Sequence, residues 1–225
     1  MTTDGATINE MRSGNGQLLL VRHTQIADDF VGLCYGASDV PLSAAGESHA
    51  RKIAISLCEE NPSVVVHSGL ARARYLAEEV ARLVGVDVVC DPRLQELNFG
   101  AWELRSWDDI FTEVGHGMSR LILEPDTLCA PGAESANQVL ERMLSWIHEI
   151  GHSSLETDHA RAGCVGVEQA CEDRVVVAVS HGGPISALRG AIEGHDAASW
   201  PDIMPGYGEV LRLDLPVVLP ASLQV

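Results

Sequence analysis

Apolar runs alternate with polar segments along this chain in a pattern that predicts a β-sheet with helical connections. Residues 18–21 are apolar, and the run ends abruptly in Arg22 and His23. Residues 64–66 and 174–180 contain similar runs, the second of which is the strongest strand signal in the chain. Short apolar runs bounded by turn residues are typical of buried strands in a parallel sheet. We therefore predict an α/β domain.

Helical periodicity occurs between these strands. Apolar residues recur at i, i+3, i+4 and i+7 after Ser43, which can cap a helix that reaches residue 57. A second helix is predicted over 71–84, with Leu83 on its apolar face and Gly85 after it, and a third over 134–150 with Gly151 as its end. A right-handed crossover makes the first two strands parallel. Residues 86–90 and the alternating segment 210–215 are predicted as a third strand and a final edge strand.

Composition limits the class of protein. The chain has 225 residues, of which 46% are hydrophobic and 21% charged, which suits one large soluble domain. The formal net charge of -17 argues against nucleic-acid and anionic-membrane partners, which need a basic surface. An anionic substrate stays compatible with this charge, because a few arginines in a pocket can outweigh a distant acidic surface.

The domain organisation is predicted to be simple. Residues 1–16 are polar and are expected to form a disordered tail, and residues 17–225 a single domain. Residues 152–173 are small and polar, which favours a surface loop insertion. No apolar run approaches the length of a membrane helix, and the six cysteines show no paired spacing, so we expect reduced thiols in a cytoplasmic protein. The sequence leaves the oligomeric state open, a homo-oligomer included.

Basic side chains follow three of the predicted strands. Arg22 and His23 end the first, Arg72 begins the helix after the second, and His181 follows the strand at 174–180. In open α/β sheets, ligands bind beyond the carboxyl ends of the strands, where these side chains would meet. Arg22 and His23 alone fit equally well a strand that simply ends in polar residues. The coincidence of three such ends in an acidic protein favours an anion-binding site.

Phosphoryl transfer is the chemistry that needs such a set. Guanidinium groups match phosphate oxygens and stay charged at any working pH. A neutral imidazole can attack phosphorus while a backbone carbonyl holds its other nitrogen as N–H. A second histidine, if protonated, can stabilise charge on the phosphoryl oxygens. The glycines after His181, Gly182 first, would let the backbone approach the anion.

Five segments in order resemble the histidine phosphatase superfamily, the phosphoglycerate mutase-like proteins. L-V-R-H-T at 20–24 resembles the family's R-H-G signature, and S-G-L-A-R-A at 68–73 is similar to S-P-L-x-R-A. L-Q-E-L-N-F-G-A-W-E at 94–103, P-G-A-E-S at 131–135 and S-H-G-G at 180–183 complete the set. Thr24 and Gly69 depart from the family's glycine and proline, and neither change removes a charged catalytic group. The resemblance implies a three-layer α/β/α fold with a mostly parallel sheet and helices on both faces.

The resemblance also implies roles for individual residues. His23 would be the nucleophile that becomes phosphohistidine, and Arg22, Arg72 and His181 would hold the phosphoryl group. Glu96 would be the general acid that protonates the leaving oxygen. Without its flanking motif, Glu96 would be better explained as a solvated loop carboxylate. No cofactor is expected, and no metal either, because the histidines and cysteines lack compact ligand spacing.

The expected substrate is a small-molecule phosphate ester. Residues 32–42 after the R-H-T start resemble α-ribazole phosphatases, which act on a nucleotide-like intermediate late in cobalamin assembly. Thr24, Tyr35, Gly36 and Gly182 are the predicted substrate-binding residues, although Tyr35 fits a loop-packing role equally well. Two alternatives are kept: a phosphoglycerate mutase-type phosphotransferase, and a catalytically idle scaffold that binds phosphate.

Overall fold

The computed structural model describes residues 16–152 and 174–220, which form one mixed five-stranded sheet flanked by helices. The strands are β1 (Gly16–Arg22), β2 (Val64–His67), β3 (Val88–Cys90), β4 (Val175–Ser180) and β5 (Val210–Leu215). Their order is β3-β2-β4-β1-β5, with the first four parallel and β5 antiparallel to β1. The predicted strands 1 and 2 are thus parallel, and β4 lies between them.

Within the two described ranges, six α-helices and several short 3-10 turns connect these strands. The helices are α1 (Ala44–Cys58), α2 (Ala71–Val84), α3 (Trp107–Val114), α4 (Arg120–Leu123), α5 (Ala136–His152) and α6 (Gly182–Glu193). Ser43 caps α1 as predicted, because its side chain accepts a hydrogen bond from the Gly46 amide. Gly85 ends α2 with a left-handed conformation, φ +77°, which a glycine adopts without strain.

Alternating side chains of β1 face two separate helical layers. Leu19 and Val21 pack with residues of α1 and α2, whereas Leu18 and Leu20 pack with residues of α5 and α6. All four side chains are fully buried. A strand that is apolar on both faces needs cover on both, which is why residues 18–21 are uninterrupted by polar residues. The predicted three-layer α/β/α architecture is therefore confirmed.

Two predictions about element boundaries and one about a buried helix face are wrong. Gly151 lies inside the last turn of α5, where a Cβ would stand 3.3 Å from Pro216, so its small size serves packing. The third strand begins at residue 88, because the Val86 amide still bonds to Ala81 O at the end of α2. Leu83 is 41% exposed, since the neighbouring edge strand β3 has only three residues and offers little surface to bury it.

The two predicted peripheral segments lie almost entirely outside the described residues. Of the predicted tail, only Gly16 is described, and it begins β1. Of the predicted insertion, only His152 is described as the last residue of α5. Among the helices that are described, none has both the length and the apolar character needed to cross a bilayer.

Candidate active site

The ends of β1 and β4 bring His23 and His181 together at one edge of the sheet. Arg22 at the end of β1 is in register with Ser180 at the end of β4, so the residues that follow each strand are neighbours. The two imidazole centroids lie 5.0 Å apart, and each ring is at most 1% exposed. The structure thus gathers the side chains predicted to converge, with Arg72 reaching them from the first turn of α2.

His23 has the geometry of a neutral imidazole with one free nitrogen. Its Nδ1 lies 2.7 Å from the Thr24 carbonyl oxygen, which can only accept, so Nδ1 carries the proton. Burial, followed by the charge of Arg72, holds the pKa of His23 well below its ordinary value. Thr24 is itself buried, and its hydroxyl donates to Gly46 O at 2.8 Å, which fixes the backbone that orients the ring. Nε2 is left as the nitrogen with an available lone pair.

His181 is held neutral between two neighbours. Arg72 Nε donates to its Nδ1 at 3.2 Å, so the proton lies on Nε2, which faces the Ser68 hydroxyl at 2.7 Å. Burial and then the charge of Arg72 lower the pKa of His181 well below its ordinary value. The sequence was also compatible with a protonated second histidine. In the arrangement shown here both nitrogens are committed within the protein and the ring is uncharged.

Arg72 is fully buried and organises the loop that follows β1. Its Nη1 donates to Ser38 O at 2.7 Å, and its Nη2 donates to Gly36 O at 2.5 Å and approaches Tyr35 O at 3.5 Å. With the bond to His181, four of the five N–H donors of this guanidinium are engaged. One Nη1 donor therefore remains for a ligand, and the charge itself is fixed in place by the loop.

Arg22 is held by the segment just before β5. Its Nη1 donates to Pro205 O at 2.6 Å, and its guanidinium carbon stacks 4.4 Å from the ring centroid of Tyr207. Its Nε is buried and has no partner among the described residues. Such an arrangement orients a permanent positive charge and leaves donors of the guanidinium unused.

Two tyrosines meet beside the histidines. Tyr207 lies with its ring centroid 5.5 Å from that of His23, and its hydroxyl is 3.2 Å from the Tyr35 hydroxyl. The predicted substrate-binding residue Tyr35 also lies 5.3 Å beneath the Arg72 guanidinium. Tyr207 was missed by the sequence analysis, because a tyrosine in a glycine-rich loop before an edge strand carries no periodic or motif signal.

The side chain of Glu96, which lies in the loop after β3, contacts the first turn of α6. Its Oε2 accepts from the Gly183 amide at 3.3 Å, and its Oε1 accepts from the Leu97 amide at 2.9 Å. Arg142 on α5 supports the same segment, because its Nη2 donates to Glu96 O at 3.3 Å and its Nη1 to Arg93 O at 2.6 Å. The carboxylate is thus aimed by backbone amides, and its backbone is tied to α5.

Arg142 is a second residue that the sequence analysis missed. It pairs with Glu134 of the P-G-A-E-S segment at 2.9 Å, and Glu134 also accepts from the Asn98 amide at 3.0 Å. The spacing of eight residues between an acid and an arginine near one helix start was the only available signal, and it is common on helix surfaces. Here it links α5 to the segment that carries Glu96.

The predicted glycines make room for side chains. A Cβ on Gly183 would stand 2.4 Å from Glu96 Oε1, and one on Gly182 would stand 2.8 Å from Met204 Sδ and 3.3 Å from the Arg22 guanidinium carbon. A Cβ on Gly36 would lie 2.0 Å from Leu97 O. We expected the glycines after His181 to admit a ligand to the backbone. In this structure, the lack of a side chain at these glycines also lets Arg22 and Glu96 pack closely against the start of α6.

A cavity of about 300 Å³ opens beside Glu96 and Gly183. Its walls carry several aromatic side chains, namely Tyr35, Phe99, Trp107 and Trp200. The remaining wall is formed mainly by aliphatic residues of the loops and of α4. Within the described ranges, no group of three or more metal-ligating side chains is arranged to hold a metal ion.

Most of the sequence matches the model of a known family. The model of the histidine phosphatase superfamily (branch 1) matches residues 18–216. A glucosyl-3-phosphoglycerate phosphatase of Mycolicibacterium vanbaalenii is 32% identical over 200 residues, which cover 88% of this chain and 83% of that protein. A probable phosphoglycerate mutase of Escherichia fergusonii is 32% identical over 178 residues, covering 79% and 75% of the two chains.

Solved structures show the same fold. The native structure of a mycobacterial glucosyl-3-phosphoglycerate phosphatase superimposes with a TM-score of 0.74 at 27% identity, covering 89% of this chain and 90% of that one. The α-ribazole phosphatase of Shigella flexneri superimposes with a TM-score of 0.70 at 23% identity, covering 90% and 95%. At 23% identity, the similarity to the α-ribazole phosphatase shows only that the two proteins share a fold.

Proposed function

The chain belongs to the histidine phosphatase superfamily and is a phosphatase, and we propose that it hydrolyses small phosphate monoesters through a phosphohistidine formed on His23. The observation that carries this proposal is the bond of His23 Nδ1 to Thr24 O, which leaves Nε2 unprotonated at neutral pH. A buried, neutral and oriented imidazole is what attack on phosphorus requires.

The first half-reaction transfers the phosphoryl group to His23. Nε2 attacks phosphorus as the bond to the ester oxygen breaks, and Glu96 gives a proton to the departing oxygen. Arg22 and the remaining donor of Arg72 face the phosphoryl oxygens as charge builds on them. His181 contributes by holding Arg72 Nε, so that the guanidinium keeps its place beside His23.

The second half-reaction returns the enzyme to its starting state. Water attacks the phosphorus of phosphohistidine, the bond to Nε2 breaks, and Glu96 accepts the proton that the water loses. Inorganic phosphate then leaves, and His23 is again neutral. The same carboxylate therefore acts as the general acid in the first step and as the general base in the second.

A rapid-quench experiment tests this mechanism. The enzyme is mixed with a ³²P-labelled phosphate monoester, quenched in base within milliseconds, and digested for peptide mapping. Acid-labile, base-stable label on the peptide containing His23 is expected, and none in His23→Asn. Unimpaired hydrolysis by a folded His23→Asn variant would overturn the proposal.

The same assay separates hydrolysis from the two alternatives. With 3-phosphoglycerate, a mutase-type phosphotransferase would move the phosphate between positions with little release, whereas a phosphatase releases inorganic phosphate. An idle scaffold would bind inorganic phosphate and leave every ester intact. α-Ribazole 5′-phosphate belongs in the panel of esters, because the loop that carries Tyr35 and Gly36 follows the α-ribazole phosphatase pattern.

A further inference from the structure

The cavity beside Glu96 lies where the alcohol part of an ester must go. Glu96 and Gly183 line it, and so do Tyr35 and Gly36, whose carbonyl oxygen accepts a hydrogen bond from Arg72. If the phosphoryl group sits between Arg22, Arg72 and His23, the group that Glu96 protonates is attached to whatever fills this space. The lining of the cavity therefore bears on which esters are accepted.

This lining is strongly apolar. Besides its four aromatic residues it presents seven aliphatic, proline or methionine side chains: Leu33, Leu97, Leu121, Ile122, Ala136, Pro201 and Met204. Ser186 also lines it, but its hydroxyl is already used to donate to Gly182 O at 2.8 Å. Burial of hydrocarbon against apolar walls of this kind is favourable, whereas a hydroxyl group buried there would find few hydrogen-bond partners.

The charges around the cavity disfavour an acidic alcohol. No lysine, arginine or histidine is found among its lining residues within the described parts of the chain, and Glu96 is its one carboxylate. Arg120, adjacent to Leu121 in sequence, is paired with Glu124 at 2.9 Å. An ionised carboxylate placed in the cavity would lose water without gaining a cation, and would also face Glu96.

We propose that this cavity selects esters of uncharged, largely apolar alcohols. This inference rests on the proposed hydrolysis of phosphate monoesters. Its volume of about 300 Å³ lies at the lower end of the range for ligand pockets, which suits a single ring or a short alkyl chain. The relatives named above are a glucosyl-3-phosphoglycerate phosphatase and a probable phosphoglycerate mutase. Phosphoglycerate carries a carboxylate, so the substrate proposed for this chain differs from the substrates that the names of these relatives indicate.

A homologous series of esters tests the proposal. kcat/KM is measured for ethyl, butyl and hexyl phosphate and for 3-phosphoglycerate under identical conditions. Each added methylene is expected to raise kcat/KM by about fourfold until the cavity is filled. 3-Phosphoglycerate is expected to be worse than butyl phosphate by about tenfold or more. A flat series, or a preference for 3-phosphoglycerate, would overturn the selectivity while leaving the phosphatase intact.

A matched pair of variants places the effect in the cavity. Ile122 lines it, whereas its neighbour Leu123 on the same helix does not and is 66% exposed. Ile122→Arg introduces a cation and is expected to reduce the advantage of hexyl phosphate over 3-phosphoglycerate by about tenfold or more. Leu123→Arg adds the same charge outside and is expected to leave that ratio unchanged. Equal effects of the two variants would contradict the assignment.

A binding measurement separates failure of this inference from failure of the proposed function. Hexylphosphonate and phosphonoacetate cannot be hydrolysed, and calorimetry reports their affinities in the absence of turnover. Tighter binding of hexylphosphonate, by about tenfold or more, supports the selectivity even if no ester is hydrolysed. Equal binding, or tighter binding of phosphonoacetate, counts against it even if every ester is hydrolysed.

Discussion

Gly183 lies so close to Glu96 that a Cβ at position 183 would stand 2.4 Å from Oε1. The Gly183 amide also donates to Oε2 of the same carboxylate at 3.3 Å. One residue in the first turn of α6 thus both makes room for the carboxylate and binds it. The glycine belongs to the second histidine segment of the sequence, and its partner belongs to a segment 87 residues earlier. The position of Glu96 therefore depends on a contact between two motifs.

Gly183→Ala is expected to behave as a partial loss of the general acid. The methyl group must push the Glu96 carboxylate away, and general acid catalysis contributes about 10²–10⁴-fold to a rate. We expect kcat for butyl phosphate to fall by about tenfold or more, and kcat for p-nitrophenyl phosphate to change little, because that leaving group needs no proton. Steady-state kinetics with both esters is the measurement.

Gly117→Ala is the control for this substitution. A Cβ on Gly117 would meet nothing closer than Val114 at 3.7 Å, so it should leave both rates unchanged. Equal losses with the two esters in Gly183→Ala would show that the methyl group disturbs phosphate binding and that Glu96 is not the proton donor.

Arg142→Met is expected to destabilise the protein and to loosen Glu96. The side chains of Arg142 and Glu134 are 16% and 27% exposed, and the arginine also serves two backbone carbonyls. Removing it leaves partly buried acceptors without this partner, and we expect the free energy of unfolding to fall by about 1–3 kcal/mol. Urea denaturation measures this loss. Arg120→Met breaks an exposed pair with Glu124 and should change the same free energy by less than about 0.5 kcal/mol.

The elements that could be predicted from the sequence are those that short runs of neighbouring residues determine. Residues 18–21 are apolar on both faces, which suits only a buried strand, and Ser43 and Gly85 mark helix ends through their own backbone preferences. The convergence of His23 and His181 also followed from local information, because parallel strands end at one edge of a sheet.

The remaining features depend on contacts between distant segments. Gly151 resembles a helix stop, but its lack of a side chain is used against Pro216, which lies 65 positions later. Arg142 contacts the Glu96 backbone only because α5 packs beside the site. Tyr207 contacts Arg22 only because the segment before β5 does so too. The lowered pKa of His181 likewise depends on its burial and then on the charge of Arg72, and no spacing in the sequence reveals the bond between these two residues.

Tyr207→Ala is expected to weaken phosphate binding. The ring stacks on the Arg22 guanidinium at 4.4 Å and packs at a tilt against the His23 ring, with the two centroids 5.5 Å apart, so it restrains both groups. Cation–π contacts contribute about 0.5–2 kcal/mol, and we expect KM for p-nitrophenyl phosphate to rise by about 2- to 30-fold. Tyr207→Phe keeps the ring and should stay within about twofold. Inhibition by inorganic phosphate gives an independent measure, and wild-type affinity in Tyr207→Ala would rule out this restraint.

The buried histidines are expected to make the protein less stable as the pH falls below 6.5. Burial lowers the pKa of both His23 and His181 in the folded state, whereas in the unfolded chain each has its ordinary value near 6.5. Between the folded and unfolded values, the unfolded state binds protons that the folded state refuses. Their contribution is therefore complete above pH 6.5 and is lost as the pH falls towards the folded values.

Urea titrations between pH 5 and 7.5 measure this dependence on pH. Each such histidine adds a slope of about 1.4 kcal/mol per pH unit to the free energy of unfolding below pH 6.5. Replacing one of them, in His181→Asn, should remove about that slope whatever its effect on the absolute stability. Gly117→Ala changes no titratable group and should leave the slope unchanged. If His181→Asn kept the wild-type slope, His181 would titrate alike in both states and could not be the neutral partner that holds Arg72.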